Sequence, residues 1–180
     1  MIRAHENSIF FLLFFVAAVL TGGRAEAAKV ISQTPCSGTC AEFYVSGGTA
    51  TRIPTIASFS FDAPARSTAL VTFNGSAFCN LSAEAFHGVV DLVSQITTGT
   101  AAPSQAGPGG ARHTMVLTNP SLDLLNFLPD TVPLNVAATR AITYATAGRK
   151  TVYFKVARLR MDDGTSCAFT NTAFTVLLIP

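Results

Sequence analysis

The sequence predicts an all-β protein, a single-domain antiparallel β-sandwich of jelly-roll or Greek-key type that is cross-linked by disulfides. Roughly eight to ten short runs rich in Val, Ile, Thr and Phe alternate with turn residues. No segment of about ten residues or more shows a convincing helical period, and no repeat at a fixed spacing is visible. The four cysteines are an even number, as expected for disulfides in an exported chain.

The first 27 residues predict a signal peptide. Ile9–Leu20 is an uninterrupted apolar run, and Ala25–Ala27 supplies the small residues that precede a cleavage site. A retained membrane anchor is the alternative, but the run is shorter than the roughly 20 residues that span a bilayer. We therefore expect residues 28–180 to form one secreted or periplasmic β-sandwich domain, with no membrane span after processing.

All four cysteines, Cys36, Cys40, Cys79 and Cys167, lie in the predicted mature domain. Three pairings are possible. We favour Cys36–Cys40 with Cys79–Cys167, because the three residues between the first two are flexible enough to close a local bridge. No His or further Cys stands at zinc-ligand spacing, so we expect neither a metal site nor a cofactor.

The first half of the mature chain has alternating strands after a lead-in over residues 28–40. Gly88–Thr97 also fits a helix, but its Val and Ile content favours a strand. A bulge or bend is expected at Gly75. The predicted strands here are Glu42–Val45 and Thr49–Ile53 (a hairpin), Ala57–Phe61, Thr68–Asn74 and Gly88–Thr97.

Residues 98–112 are rich in Gly, Pro, Ala and Ser and cannot bury a core. We predict a long, flexible surface loop. A connector is the favoured interpretation, and a functional loop with Arg112 and His113 at its exit is the alternative.

The remaining predicted elements lead to a C-terminal block. They are a strand at Thr114–Asn119, a helical turn or strand at Leu122–Leu128, one or two strands over Val132–Thr146, and the block Lys150–Pro180. In this block the apolar positions change parity near Ala157, which predicts either a β-bulge or a strand covered on both faces.

Two further features of the C-terminal block carry predictions. Asp163-Gly164 is a strong hairpin signal. The last strand, Ala173–Ile179, is apolar on both faces, so we expect it to be central in a sheet or to contact another subunit.

The chemistry-bearing residues are few. His87 and His113 are the histidines of the mature domain, and a hydrolase or lyase acting on an extracellular polymer would need one of them with a carboxylate such as Asp91. Ser76 does not stand in a nucleophile elbow. The pair Asp162-Asp163 is explained by turn chemistry, and we assign no catalytic residue.

Five basic residues cluster in sequence: Arg149, Lys150, Lys155, Arg158 and Arg160. They predict either an anion-binding face for acidic glycans or a solvated outer strand kept soluble by its charge. The formal net charge of the whole chain is only +2, which argues against a nucleic-acid binder.

The runs Phe61–Pro64, Val71–Gly75 and Thr151–Pro180 resemble secreted bacterial β-sandwich proteins. The predicted architecture is similar to the C1q/TNF-like jelly rolls. This resemblance implies an apolar C-terminal strand that packs at a trimer axis, and it transfers no binding residue.

These observations predict an exported, non-catalytic β-sandwich that acts as a binding or structural module. Its expected partner is another copy of itself, through the C-terminal strand, or a surface polymer or glycan. The alternative is the extracellular hydrolase or lyase that uses His113 or His87.

Overall fold

The computed structural model describes residues 28–44, 55–82, 84–118 and 131–180, and the side chains among them except those of residues 36–44 and 131. The predicted signal peptide, the hairpin arm at Thr49–Ile53 and the element at Leu122–Leu128 lie outside these residues.

The described residues form two four-stranded antiparallel sheets. Sheet A has the strand order β1-β8-β3-β6, and sheet B has the order β2-β7-β4-β5. This arrangement of eight strands in two sheets is a jelly roll, so the predicted fold class is confirmed. The strands are β1 (Lys29–Tyr44), β2 (Thr55–Ala63), β3 (Ser67–Leu81), β4 (His87–Thr97), β5 (Gly110–Thr118), β6 (Thr131–Tyr144), β7 (Gly148–Met161) and β8 (Thr165–Ile179).

The core lies between the sheets, where alternate residues of each strand point inward. At its centre Phe73 of sheet A stacks on Phe154 of sheet B, with 3.6 Å between ring centroids. Phe174 meets Phe73 edge-on at 5.3 Å. All three rings are fully buried. The alternation predicted from the sequence therefore places its large apolar residues in the core.

The ambiguous segment at Gly88–Thr97 is a strand. Val90, Leu92 and Ile96 point into the core and are fully buried. The preference for a strand over a helix is confirmed.

The prediction of a lead-in over residues 28–40, ahead of the first strand, is wrong. β1 pairs with β8 along most of its length, from Lys29↔Leu178 to Tyr44↔Ser166. Three register shifts between Gln33 and Ala41 interrupt the ladder. The segment has few large apolar residues because it is an edge strand, and its pairing with β8 cannot be inferred from local pattern.

The change of apolar parity in β7 is caused by a β-bulge. Asp91 pairs with Arg160 and the next residue, Leu92, pairs with Arg158, so Leu159 has no partner in the ladder. Its side chain is 55% exposed. The bulge interpretation is confirmed, two residues beyond the predicted position.

Asp163-Gly164 forms a tight turn but not a hairpin. The Thr165 amide donates to the Asp162 carbonyl at 3.1 Å, and Gly164 has a φ of 80°, which favours glycine. However, β7 belongs to sheet B and β8 to sheet A. The turn therefore carries the chain from one sheet to the other, and the predicted pairing of the two strands is wrong.

β8 runs unbroken to Ile179 and lies between β1 and β3 in sheet A. Phe174, Val176 and Leu178 point into the core. The central position that its two apolar faces predicted is confirmed.

The predicted disulfide between Cys79 and Cys167 is present. The two residues are direct partners on β3 and β8, and both are buried. The predicted Cys36–Cys40 bridge involves side chains outside the described set. Within the described part of the chain, no helix is long and apolar enough to cross a membrane.

Candidate interaction surface

The two sheets present outer faces of opposite character. Outward positions follow from the register, because direct partners on neighbouring strands share a face. On sheet A, Val30 pairs with Leu177, which pairs with Leu70, which pairs with Ala141. We call this row the apolar belt. Val30 is 64% exposed and Leu70 is 37% exposed, so the belt crosses the whole sheet at its surface.

Hydroxyl side chains flank the apolar belt on both sides. On one side Ser32 hydrogen-bonds Thr175 at 3.3 Å, and Thr72 hydrogen-bonds Thr139 at 3.4 Å. On the other side Thr68 hydrogen-bonds Thr143 at 3.4 Å. We call these the hydroxyl rows. Their polar atoms are engaged with each other across the strands.

No charged side chain occupies an outward position of sheet A among the side chains that the structure describes. Lys29 and Arg140 are the charged residues of sheet A whose side chains are described, and they pair with Leu178 and Val71, which are core residues. They therefore occupy inward-facing positions. Every outward side chain of sheet A that the structure describes is uncharged.

The outer face of sheet B is charged. Asp91 points outward from β4 and is only 5% exposed, because neighbouring side chains cover it. Arg112 Nε donates to Asp91 Oδ1 at 2.9 Å, and the Thr114 hydroxyl donates to the same atom at 3.0 Å. The hydrogen bond from Arg112 holds the pKa of Asp91 below its ordinary value. Only the pairing of β4 with β5 brings these three residues together, so sequence analysis missed this cluster.

A second ion pair lies at the end of β7. Arg160 Nε donates to Asp162 Oδ1 at 2.8 Å, and the Val89 amide donates to Asp162 Oδ2 at 2.9 Å. The hydrogen bonds from Arg160 and Val89 lower the pKa of Asp162. Asp162 thus supports the turn, as the sequence suggested, and also neutralises one of the five clustered basic residues.

The other four basic residues are spread along β7. Arg149 is exposed at its start, Lys150 lies near Tyr144, and Arg158 is half-buried near its end. Lys155 is buried. The structure therefore spreads the five residues along a strand about 45 Å long. The anion-binding face stays a prediction, for which Arg149, Lys150 and Arg158 are the members of the five that are neither buried nor paired with a carboxylate in the described structure.

Lys155 and Gln95 fasten the loop that follows β4. Lys155 Nζ donates to the carbonyl oxygens of Gly99 at 2.6 Å and Ala101 at 3.3 Å. Gln95 accepts from the Ser104 amide at 3.0 Å and donates to the Pro108 carbonyl at 3.2 Å. The loop lies on the surface as expected, and its predicted flexibility stays a prediction. Its end is earlier than predicted.

β5 begins at Gly110, so the two polar residues expected at the loop exit lie within that strand. His113 pairs with Leu92 and points inward, where its Nε2 lies 2.8 Å from the hydroxyl oxygen of Ser94. Asp91 points outward from the same sheet. His113 and Asp91 are thus on opposite faces, and the acid–base pair of the hydrolase alternative is not assembled by them.

His87 also lies away from that carboxylate. It is exposed at the start of β4, four residues before Asp91, or roughly 13 Å along the strand. Its charged neighbour is Asp162, whose pKa it helps to lower. Among the described residues, no group of three or more His, Cys, Asp or Glu side chains is arranged to hold a metal ion.

The fold class of this chain comes from its own structure and not from comparisons with known proteins. The class is the jelly-roll β-sandwich given by its own topology. No protein-family model and no curated protein sequence matches the chain.

Similar solved structures include one from a virus and one from Porphyromonas gingivalis. The structure of infectious bursal disease virus, Gx strain, has a TM-score of 0.35 at 10% identity, covering 86% of this chain and 38% of that one. Dimeric latent PorU from Porphyromonas gingivalis has a TM-score of 0.40 at 9% identity, covering 88% of this chain and 14% of that one. The chain spans well under half of either protein, and similarity at this level carries no argument about function.

Proposed function

We propose that this protein is an exported, non-catalytic interaction module that acts through the outer face of sheet A. The observation that carries the proposal is the composition of this face. It has an exposed apolar belt, flanking hydroxyl rows, and no charged side chain among its described outward positions. Surfaces of soluble proteins usually carry interspersed charges, whereas binding surfaces combine apolar residues with charge depletion.

Export is supported by the apolar leader and by the disulfide. The Cys79–Cys167 bond belongs in an oxidising compartment, because cytosolic thiols are kept reduced. The partner of the module is either a second copy of the chain or a surface polymer or glycan.

Covalent footprinting tests the surface whatever the partner is. The protein is labelled with a hydroxyl-radical source, once as recovered from the medium or envelope of cells that export it and once as dilute purified protein. We expect Leu70 and Leu177 to be protected in the first sample relative to the second.

Two residues on the other sheet provide the control. Val116 and Leu159 are 63% and 55% exposed on sheet B, and they should label equally in both samples. Equal labelling of Leu70 and Leu177 in the two samples would refute the proposal.

A further inference from the structure

We propose that the partner of the sheet A face is a second copy of this chain, docked face to face in a closed two-fold dimer. This inference rests on the proposed function, because it names the partner of the same surface. It is carried by four properties of that surface: its charge, its pattern, its size and its difference from sheet B.

A two-fold interface places each surface against its own copy, so any net charge on it repels itself. The described outward side chains of sheet A avoid this cost because they are uncharged. A charged partner, by contrast, would find no complementary group among them. The uncharged character of these described side chains therefore favours self-association over binding to an acidic or basic polymer.

The position of the apolar belt suits a two-fold axis lying along it. Such an axis places the belt of one protomer directly on the belt of the other. Leu70 and Leu177 then meet their counterparts, and the exposed Val30 at the sheet edge is covered as well. The hydroxyl rows fall on either side of the buried belt and form a polar rim, as interfaces commonly have.

The engaged hydroxyls argue against a neutral glycan. A sugar-binding surface needs polar groups that are free to hydrogen-bond the sugar, because an unpaired buried hydroxyl is costly. Here the Ser32–Thr175 and Thr72–Thr139 hydroxyls bond each other. The belt beside them offers only aliphatic side chains, which favour a dry contact.

The face is large enough for a stable dimer. Four strands of about 15 residues, spaced about 4.8 Å apart, make a surface of about 20 Å by 45 Å, on the order of 900 Å². Standard interfaces bury about 800 Å² per partner. Twisted sheets also pack on each other in this way inside β-sandwiches, at about 30° between strand directions.

The assembly stops at a dimer because the outer face of sheet B is not complementary to the apolar belt of sheet A. Sheet B carries the Asp91–Arg112 and Arg160–Asp162 ion pairs, which an apolar belt would desolvate. Head-to-tail stacking of sheet A on sheet B would make an open filament. The difference between the faces thus selects the two-fold arrangement.

The experiment is a charge-swap rescue with the mature domain, residues 28–180, measured by sedimentation and light scattering over a concentration series. We expect a dimer for the unmodified protein. Leu70→Lys and Leu70→Glu should each raise the dissociation constant by about 10- to 100-fold, since each faces its own charge across the axis. An equimolar mixture of the two should restore the dimer, because Lys then meets Glu.

Matched controls are Val116→Lys and Val116→Glu on sheet B, which should dimerise like the unmodified protein. Near-ultraviolet circular dichroism checks that each variant is folded. Val30→Lys with Val30→Glu, on the exposed end of the same belt, repeats the test if a Leu70 variant is not folded.

The two-fold dimer would be overturned by a monomer at all concentrations, by a trimer or by an open-ended series of oligomers. It would also be overturned if mixing the Lys and Glu variants did not restore the dimer. Footprint protection of Leu70 in a monomeric protein would leave the proposed function standing with a polymer as partner. Loss of that protection would instead remove the proposed function itself.

Discussion

The imidazole of His113 lies on the inner face of β5 and shares a hydrogen bond with the fully buried hydroxyl of Ser94. Burial lowers the pKa of His113 from its ordinary value of 6.5, because the charged form loses its hydration. Desolvation is the cause of this shift, and no carboxylate contributes to it. The fold therefore favours the neutral form of this half-buried histidine.

This shift predicts a pH dependence of stability. The folded-state pKa lies below the unfolded-state value, so the contribution of His113 is fully present above pH 6.5. It is lost progressively as pH falls from 6.5 towards the folded-state pKa, where the unfolded chain binds a proton first. Urea unfolding about one unit above and one unit below pH 6.5 should show the fall.

His113→Gln should reduce the fall over this pH range. His87→Gln is the matched control, because His87 is exposed, and it should leave the fall unchanged. The same pH dependence in His113→Gln and the unmodified protein would contradict this account.

His113 and Asp91 could be picked out from the sequence as candidate catalytic residues, but the sequence could not show whether they lie together. The sequence identifies His113 and Asp91 as polar residues in strands. It does not say that one faces inward and the other outward, since that depends on the register between β4 and β5. The register places Asp91 beside Arg112 and Thr114, which both donate hydrogen bonds to its carboxylate.

Among the elements, the loop between β4 and β5 depends most on tertiary contacts. Its Gly- and Pro-rich composition predicts a surface loop, but the residues that fasten it, Gln95 and Lys155, lie on β4 and β7. Lys155 is 6% exposed and satisfies its ammonium with loop carbonyls. Lys155, which lies among five basic residues in the sequence, therefore has a structural role.

We expect Lys155→Met to release this loop. Removing the hydrogen bonds to Gly99 and Ala101 should raise amide hydrogen exchange over residues 98–109 by about tenfold, or about 1.4 kcal/mol of local opening free energy. Hydrogen–deuterium exchange with mass spectrometry measures this directly.

Lys150→Met is the matched control on the same strand, because the Lys150 ammonium contacts Thr146 and the Tyr144 ring rather than the loop. If exchange over residues 98–109 is fast in the unmodified protein and unchanged in Lys155→Met, the hydrogen bonds do not restrain the loop.

For the whole molecule, the jelly-roll topology joins segments that are far apart in sequence. β8 lies between β1 and β3, so the last strand completes a sheet with the first. Such long-range pairing slows folding, because loop-closure entropy is lost before contacts compensate for it. The Cys79–Cys167 bond joins positions 88 residues apart and removes part of that cost.

Replacing this disulfide should affect both stability and folding rate. In a Cys36→Ala/Cys40→Ala background, Cys79→Ala/Cys167→Ala should lower the free energy of unfolding by about 2–5 kcal/mol. Its refolding should also be slower than that of the oxidised parent, which we expect in the millisecond-to-second range. Urea titration and stopped-flow fluorescence give the two quantities.

The chemically reduced parent is the control for this experiment, because it has the same side chains without the bond. It should behave like the double alanine variant. A reduced parent as stable and as fast as the oxidised one would show that the disulfide adds nothing to the fold.

The sequence by itself determined most of the strands of this protein, although it missed most of β1. Period-two alternation identified the inward faces of β2 and β8, and the apolar surface of the last strand correctly excluded an edge position. These features are local, since the backbone pleat sends successive side chains to opposite faces whatever the strand pairs with.

Only the tertiary structure decided which strands are neighbours. It placed β7 and β8 in different sheets despite their tight turn, made β1 an edge strand of sheet A, and separated His113 from Asp91. It also gathered uncharged side chains from four distant strands onto one outer face. The physical reason is that sheet pairing depends on contacts between segments remote in sequence, which no local pattern records.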